Sequence, residues 1–339
     1  SRSHEVTFLL RRRPFDAAQR PLFGSSDHSW SKLSKNLYLC CMNSVRYIFR
    51  QPRTSFHSIE NVFEAVIPYI EQRFRVERLY MPYGKISARG ITGNMKALKS
   101  AGEMDIQHFT GHDHYLVLGS KGKTVLTIHD MGSALQGSFL RQKVIRRYWF
   151  ERPLHKADYI TTISSFTANE IISNFSVEEE KLHVIPDPVN DMFQFHEHEF
   201  YTDEPVILHV GVKENKNLEN AARALKGIRC KMIILGKPSA SQIKLLKELK
   251  ISYEVKSNLS NEQVVELYQS CDILSFVSHY EGFGMPVLEA QAVGTPVMAS
   301  DISAIREVAG ESVLYADPFD VHSIRDSIVQ MIQSSSLRK

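Results

Sequence analysis

The stretch at residues 272–296 constrains this chain most. Residues 272–278, Asp-Ile-Leu-Ser-Phe-Val-Ser, form an apolar run of strand length. Gly282 and Gly284 follow, where the backbone can take a positive φ and come close to a ligand. Pro286 suits the first position of a helix, where no N–H is needed, and Gly294 is placed to end that helix. The element is therefore strand, glycine loop and helix N-terminus. Free N–H groups and the positive end of the macrodipole meet there, which favours a phosphate.

Two carboxylates bracket the loop. Glu281 stands just before it, and Glu289 is expected in the first turn of the helix, its Cβ tilted back toward the N-terminus. Carboxylates accept hydrogen bonds from vicinal hydroxyls, as on a sugar or a ribose. Phosphate on the amides and hydroxyls on the acids together suggest a sugar–nucleotide diphosphate. The plainer alternative is a helix-start acid beside an unrelated surface acid.

The stretch resembles the Glu-x7-Glu motif of the retaining glycosyltransferases of family 4, which have the two-domain GT-B fold. Glu281 and Glu289 have the required spacing, and the intervening Gly-Phe-Gly-Met-Pro-Val-Leu is close to the family's wording. The resemblance implies an α/β GT-B fold: two facing Rossmann-like domains with parallel sheets and an interdomain cleft. Residues 1–195 would be the acceptor side and residues 196–339 the donor side. It also implies roles. Glu281 would hold the sugar and Glu289 the ribose, with Gly282, Phe283, Gly284 and Met285 on the donor. Lys216 matches the basic residue that binds the donor diphosphate. Gly211 and Lys213 share its loop, and Asn215 stands where a partner Arg is common, leaving Lys213 as the substitute. His129, in Thr-Ile-His-Asp, matches a histidine that contacts the transferred sugar, with Asp130 beside it. These would make Glu281, His129 and Lys216 the catalytic set.

Length and composition agree with two domains: 339 residues is long for one core, and 43% hydrophobic with 23% charged residues is ordinary for a soluble globular protein. No apolar run is long enough for a spanning helix, and the first residues carry no signal core. Cys40, Cys41, Cys230 and Cys271 show no metal spacing and read as reduced thiols of a cytoplasmic protein. Charge is uneven. Residues 1–156 hold 25 Lys and Arg against 12 Asp and Glu, and the remainder holds 16 against 26. A basic half points to an anionic partner, either a membrane surface or a phosphate-bearing acceptor. No nucleic-acid recognition motif is present, so nucleic acid is not expected.

Along the chain, residues 6–10 read as a first strand, followed by Arg11-Arg-Arg13-Pro14 where many relatives have glycines. Residues 36–50 mix apolar residues with Arg46 and Arg50, and the pattern does not choose between strand and helix. Ile59, Val62, Phe63, Val66, Ile67 and Ile70 keep helical period. Strands are expected near 77–81, 105–110, 124–129, 157–163 and 182–185, then at 206–210, 230–235, around Val255, and at 296–300. In an open parallel sheet, ligands sit beyond the carboxyl ends of the strands. His112, His114 and Asp130 are therefore acceptor-side candidates. His112-Asp113-His114 looks like a metal site by residue type alone, with no third ligand placed, and no metal or cofactor is expected beyond the nucleotide-sugar co-substrate. Residues 139–150 form one basic and aromatic helix, suited to an anionic membrane surface or simply packed on the sheet.

The expected function is a retaining, metal-independent hexosyltransferase. It would move a sugar from a nucleoside-diphosphate sugar to a glycan or lipid-linked hydroxyl acceptor, in surface polysaccharide synthesis, in the cytoplasm or peripherally on the inner membrane face. The alternatives are a GT-B epimerase or phosphorylase, and a non-catalytic nucleotide-sugar or glycan-binding protein.

Overall fold

The computed structural model describes residues 44–52, 58–132 and 139–338. The strand expected at 6–10, the Arg11–Pro14 turn, Cys40 and Cys41 lie outside them. The first sheet is built from β1 (Ser44–Phe49), α1 (Ser58–Glu71), β2 (Arg75–Tyr80), α2 (Ala88–Ser100), β3 (Ile106–Phe109) and β4 (Lys123–Ile128). It continues through α3 (Phe139–Ile145), a π-helical turn (Arg146–Glu151), α4 (Arg152–Lys156), β5 (Tyr159–Thr162), α5 (Ser165–Asn174) and β6 (Leu182–Val184). The second runs β7 (Val206–Val210), α6 (Leu218–Ala224), β8 (Lys231–Leu235), α7 (Ala240–Glu248), β9 (Ser252–Lys256) and α8 (Asn261–Gln269). It ends with β10 (Ile273–Phe276), α9 (Met285–Val293), β11 (Val297–Ser300), α10 (Ser303–Ala309), β12 (Leu314–Ala316) and α11 (Val321–Gln333). The irregular segment 185–205 joins the two, and the boundary expected at 195 lies within it.

Both sheets are parallel throughout, in the orders β2-β1-β3-β4-β5-β6 and β12-β11-β10-β7-β8-β9. Strands covered on both faces must be apolar on both faces, which is why β7, β8 and β10 are near-continuous runs of Ile, Leu, Val and Phe. Ile207, Ile273 and Met298 pack against α11 through Ile324 and Ile328, while Leu208, Leu274 and Phe276 meet Val287 of α9 and Ile305 of α10 on the opposite face. Strand order reverses between β7 and β10, and in the first sheet between β1 and β3. Crossovers leave to opposite faces at these points, so a crevice opens beyond the carboxyl ends.

One open reading is decided and three local expectations change. Residues 44–49, where the pattern does not choose between strand and helix, are a buried strand. Arg46 obscured its pattern, yet it is buried because its guanidinium donates to the carbonyls of Gly102 (2.8 Å) and Ala101 (2.6 Å) and to Glu77 (2.9 Å). The helix expected at 139–150 extends to Lys156 and carries the π-helical turn, with Trp149 and Phe150 buried. β12 was not expected, because three residues are too few to show a period. Pro286 is the second residue of α9, Met285 being the first, and the missing N–H is harmless there too. Among the described residues no helix is long and apolar enough to cross a membrane.

Candidate active site

Two loops meet at the β7–β10 switch point. The loop after β7 leaves through Gly211 at φ 91°, where a Cβ would stand 2.8 Å from the Lys216 stem, so glycine lets that stem lie against the backbone. A short 3-10 turn, Glu214–Lys216, ends at Asn217 in the left-handed region, φ 61°. Asn217 holds this conformation because its buried amide donates to the carbonyls of Val277 (2.9 Å) and Pro318 (2.7 Å). The loop after β10 is stitched to it: the His279 amide donates to Asn215 O (2.8 Å) and the Asn215 side chain to Tyr280 O (3.0 Å).

This stitching brings Lys216 onto Glu281. The ammonium is 2.6 Å from Oε1 and lies 5.0 Å above the Phe276 ring, with both charged side chains largely buried. Lys213 of the same loop is exposed. Gly284, at φ 126°, leads into α9, and a Cβ there would meet Ile305 at 2.5 Å. Phe283 is buried.

Glu289 lies one position beyond the first turn of α9, correcting the first-turn expectation, because the helix starts at Met285. Its carboxylate accepts from the Tyr268 hydroxyl at 2.7 Å. Burial pushes the Glu289 pKa up, opposed by that bond and by the Lys216 charge. Glu289, Tyr268, Met285 and Pro286 line a cavity of about 210 Å³ with Val210, Leu235, Asn258 and Leu259. Asn61 of the first half and Pro188 of the joining segment also line it. Tyr268, Asn258 and Leu259 were not anticipated. The Ser260–Gln263 capping box marks where α8 begins, but not that its last turn faces the cavity.

His129 stands just past β4. Its ring packs on Gly111, where a Cβ would lie 2.6 Å from Cδ2. Nε2–H donates to Thr110 O (2.8 Å), and Nδ1 is 3.8 Å from Asp187. Burial resists charging this imidazole, but Asp187, the Thr110 carbonyl and Asp130 outweigh it and raise its pKa. Asp187, in the Pro186–Asn190 turn, is a partner the sequence did not reveal. Asp130 is exposed and accepts from the Gly132 amide at 2.8 Å. His112, at φ 72°, contacts Asp113 at 3.3 Å.

His114 does not belong with these acceptor-side residues. Its Nδ1–H donates to Trp149 O (2.8 Å), its ring meets Phe150 edge-on, and burial drives its pKa down to about 3. It is a core histidine, turned inward because residues 114–119 form a buried 3-10 turn against the π-helical segment. His112 contacts Asp113 while His114 bonds the Trp149 carbonyl. Among the described residues no group of three or more His, Cys, Asp or Glu side chains could hold a metal ion.

Two parallel Rossmann-like sheets, with switch-point loops carrying a Lys–Glu pair and a half-buried second glutamate, define a GT-B protein. The chain belongs to glycosyltransferase family 4: the model described as Glycosyltransferase Family 4 matches residues 44–192, and that described as Glycosyl transferases group 1 matches residues 191–339. It is 29% identical over 211 residues to an MMP alpha-(1->4)-mannosyltransferase of Mycolicibacterium hassiacum, covering 57% of this chain and 51% of that protein. It is 28% identical over 230 residues to the O-antigen chain mannosyltransferase RfbU of Salmonella typhimurium, covering 65% and 64%. The matches thus span about half to two thirds of these relatives. The fold is similar to the crystal structure of WaaG, a glycosyltransferase involved in lipopolysaccharide biosynthesis, with a TM-score of 0.68 at 14% identity over 87% of this chain and 92% of that one.

Proposed function

We propose that this chain is a retaining hexosyltransferase that moves a sugar from a nucleoside-diphosphate sugar to a hydroxyl acceptor in surface-glycan synthesis. The Lys216–Glu281 pair at the β7–β10 switch point, beside the cavity holding Glu289, is the observation that carries this reading. The nucleoside enters that cavity, Glu289 accepts from the ribose hydroxyls, Glu281 holds the sugar, and His129 faces it from the first half. The leaving diphosphate gains charge as the glycosidic bond breaks. Lys216 and the amides of Gly282 to Gly284 stand ready where that charge develops. The departing phosphate oxygen takes the acceptor proton, and neither a metal nor a further cofactor is assigned. The mannosyl relatives support testing a mannosyl donor first.

A thermal-shift panel with UDP, GDP, ADP and their sugars tests the reading. A true donor at a hundredfold excess over its dissociation constant stabilises the fold by about 2.7 kcal/mol. If no nucleotide moves the midpoint, the donor site is wrong. Product analysis with and without acceptor separates transfer from epimerisation or phosphorolysis.

Glu289→Gln is expected to weaken donor binding more than it slows bound-state chemistry. A charge-assisted bond to the ribose is present in ground and transition states alike, at about 1.5–3 kcal/mol. The raised pKa gives this binding a pH dependence. The ionised carboxylate is the acceptor, so affinity is full above the raised pKa and falls as pH drops through it, at a pH above the usual 4.5. Calorimetric titration from pH 7 downward reads this. The Gln variant should flatten the profile, and a profile unchanged in the variant removes Glu289 from the ribose.

The acceptor is proposed to be glycan-bearing and anionic, presented at a membrane surface. Lys143, Val144, Arg147, Tyr148 and Arg152 are exposed on the helix through the π-helical turn. Arg146 is not part of this face, since it donates to Asn174 and lies over the Phe175 ring. Each exposed basic residue contributes about 1 kcal/mol near anionic lipid. Co-sedimentation should require anionic vesicles, weaken with salt and fall when Lys143, Arg147 and Arg152 become Gln. Protein left in the supernatant at low salt points to a soluble acceptor.

A further inference from the structure

The residues on either side of Glu281 are held by the other half of the molecule. The Tyr280 hydroxyl accepts from the Met131 amide (3.1 Å) and donates to Glu170 of α5 (2.7 Å). The Gly282 carbonyl accepts from the Ser164 hydroxyl (2.5 Å). Ser164 is also the N-cap of α5, accepting from the Thr167 amide at 3.1 Å. The next two amides of that helix end, Ser165 and Phe166, donate to the two carboxylate oxygens of Glu307 on α10 (2.7 and 3.1 Å). A negative carboxylate at a helix N-terminus satisfies two orphan donors and meets the positive end of the dipole. Gly282 makes the approach sterically possible, since a Cβ there would stand 2.0 Å from His129 O.

We propose that the N-terminus of α5 is a docking element that sets Glu281 against His129, and that Tyr280, Glu170 and Glu307 are positioning residues for transfer. The proposal rests on the donor-site reading above. Glu281 has a second-half partner in Lys216 and the Tyr280 carbonyl one in Asn215, but the Tyr280 hydroxyl and the Gly282 carbonyl answer to α5 and to the segments after β4 and β5. Undocking moves Glu281 relative to His129, while Lys216, Glu289 and the second-half residues around Glu289 (Tyr268, Met285, Pro286) keep their places. Nucleotide affinity and turnover therefore separate.

Tyr280→Phe removes both hydroxyl bonds, and Glu307→Gln removes the charge at the helix end while keeping its shape. Each is compared with wild type and with Lys216→Ala, using calorimetric titration of the nucleotide identified by the panel, steady-state kinetics and thermal midpoints. Both positioning variants are expected to keep the nucleotide dissociation constant within about twofold and to lower turnover by roughly tenfold to a hundredfold, the loss of one charge-assisted bond. Glu307→Asp should recover part of that loss, which a general loss of stability would not give. A nucleotide affinity that falls in step with turnover, or turnover unchanged in both variants, overturns the docking role. Kinetics unaltered both in Lys216→Ala and in its double variant with Lys213→Ala instead overturn the donor-site reading.

Discussion

Lys216→Ala is expected to lower turnover by about a hundredfold or more, because its ammonium meets more negative charge as the diphosphate leaves. Steady-state kinetics at saturating donor measure this. Near-normal turnover would move the phosphate role to Lys213, and the double variant would show which lysine carries it. The pair geometry adds a second readout. With Lys216 gone, the largely buried Glu281 carboxylate loses its partner at 2.6 Å. Losing a hydrogen bond to a charged group costs about 1.5–3 kcal/mol. Adding Glu281→Gln removes the stranded charge, so the double variant should be more stable than Lys216→Ala alone in urea unfolding. Equal stabilities would mean that the pair is open in solution.

Gly282→Ala is the other large effect expected. The added methyl group would stand 2.0 Å from His129 O and 3.1 Å from Asp130 Cβ. Neither can yield cheaply, since one is backbone at a strand end and the other is fixed by its own chain. The halves must part locally, breaking the 2.5 Å bond from Ser164. A misplacement of about 1 Å at reacting groups costs on the order of a hundredfold in rate. Turnover should fall by that amount while the nucleotide, held by Lys216 and Glu289, still binds. Activity close to wild type would show that the loop and His129 work without touching.

The readings at Arg46 and His114 share a physical cause, the distance along the chain between partners, whereas that at Glu289 is local. Arg46 reads as a polar interruption of a strand until the carbonyls of Ala101 and Gly102 arrive to satisfy it. His114 reads as a strand-end ligand until the π-helical turn supplies the Trp149 carbonyl. Glu289 reads as a first-turn acid because Pro286 marks the helix start only to within a residue.

The sequence by itself determined the local element of the site. An apolar run, two glycines, Pro286 and Gly294 act through sterics and backbone freedom within a few residues, so strand, loop and helix follow without any partner. The Glu281–Glu289 spacing and the resemblance of the surrounding wording are also local. Only the tertiary structure decided what those acids face. Lys216 is 65 residues before Glu281, and they meet because β7 and β10 are neighbours at a switch point. Likewise Asp187 reaches His129, and Tyr268 reaches Glu289 from the last turn of α8. Tyr280 is bonded to Glu170 110 positions away. Hydrogen bonds and ion pairs act over a few ångströms of space and leave no period in the sequence, so strand order and closure of the two halves had to place them.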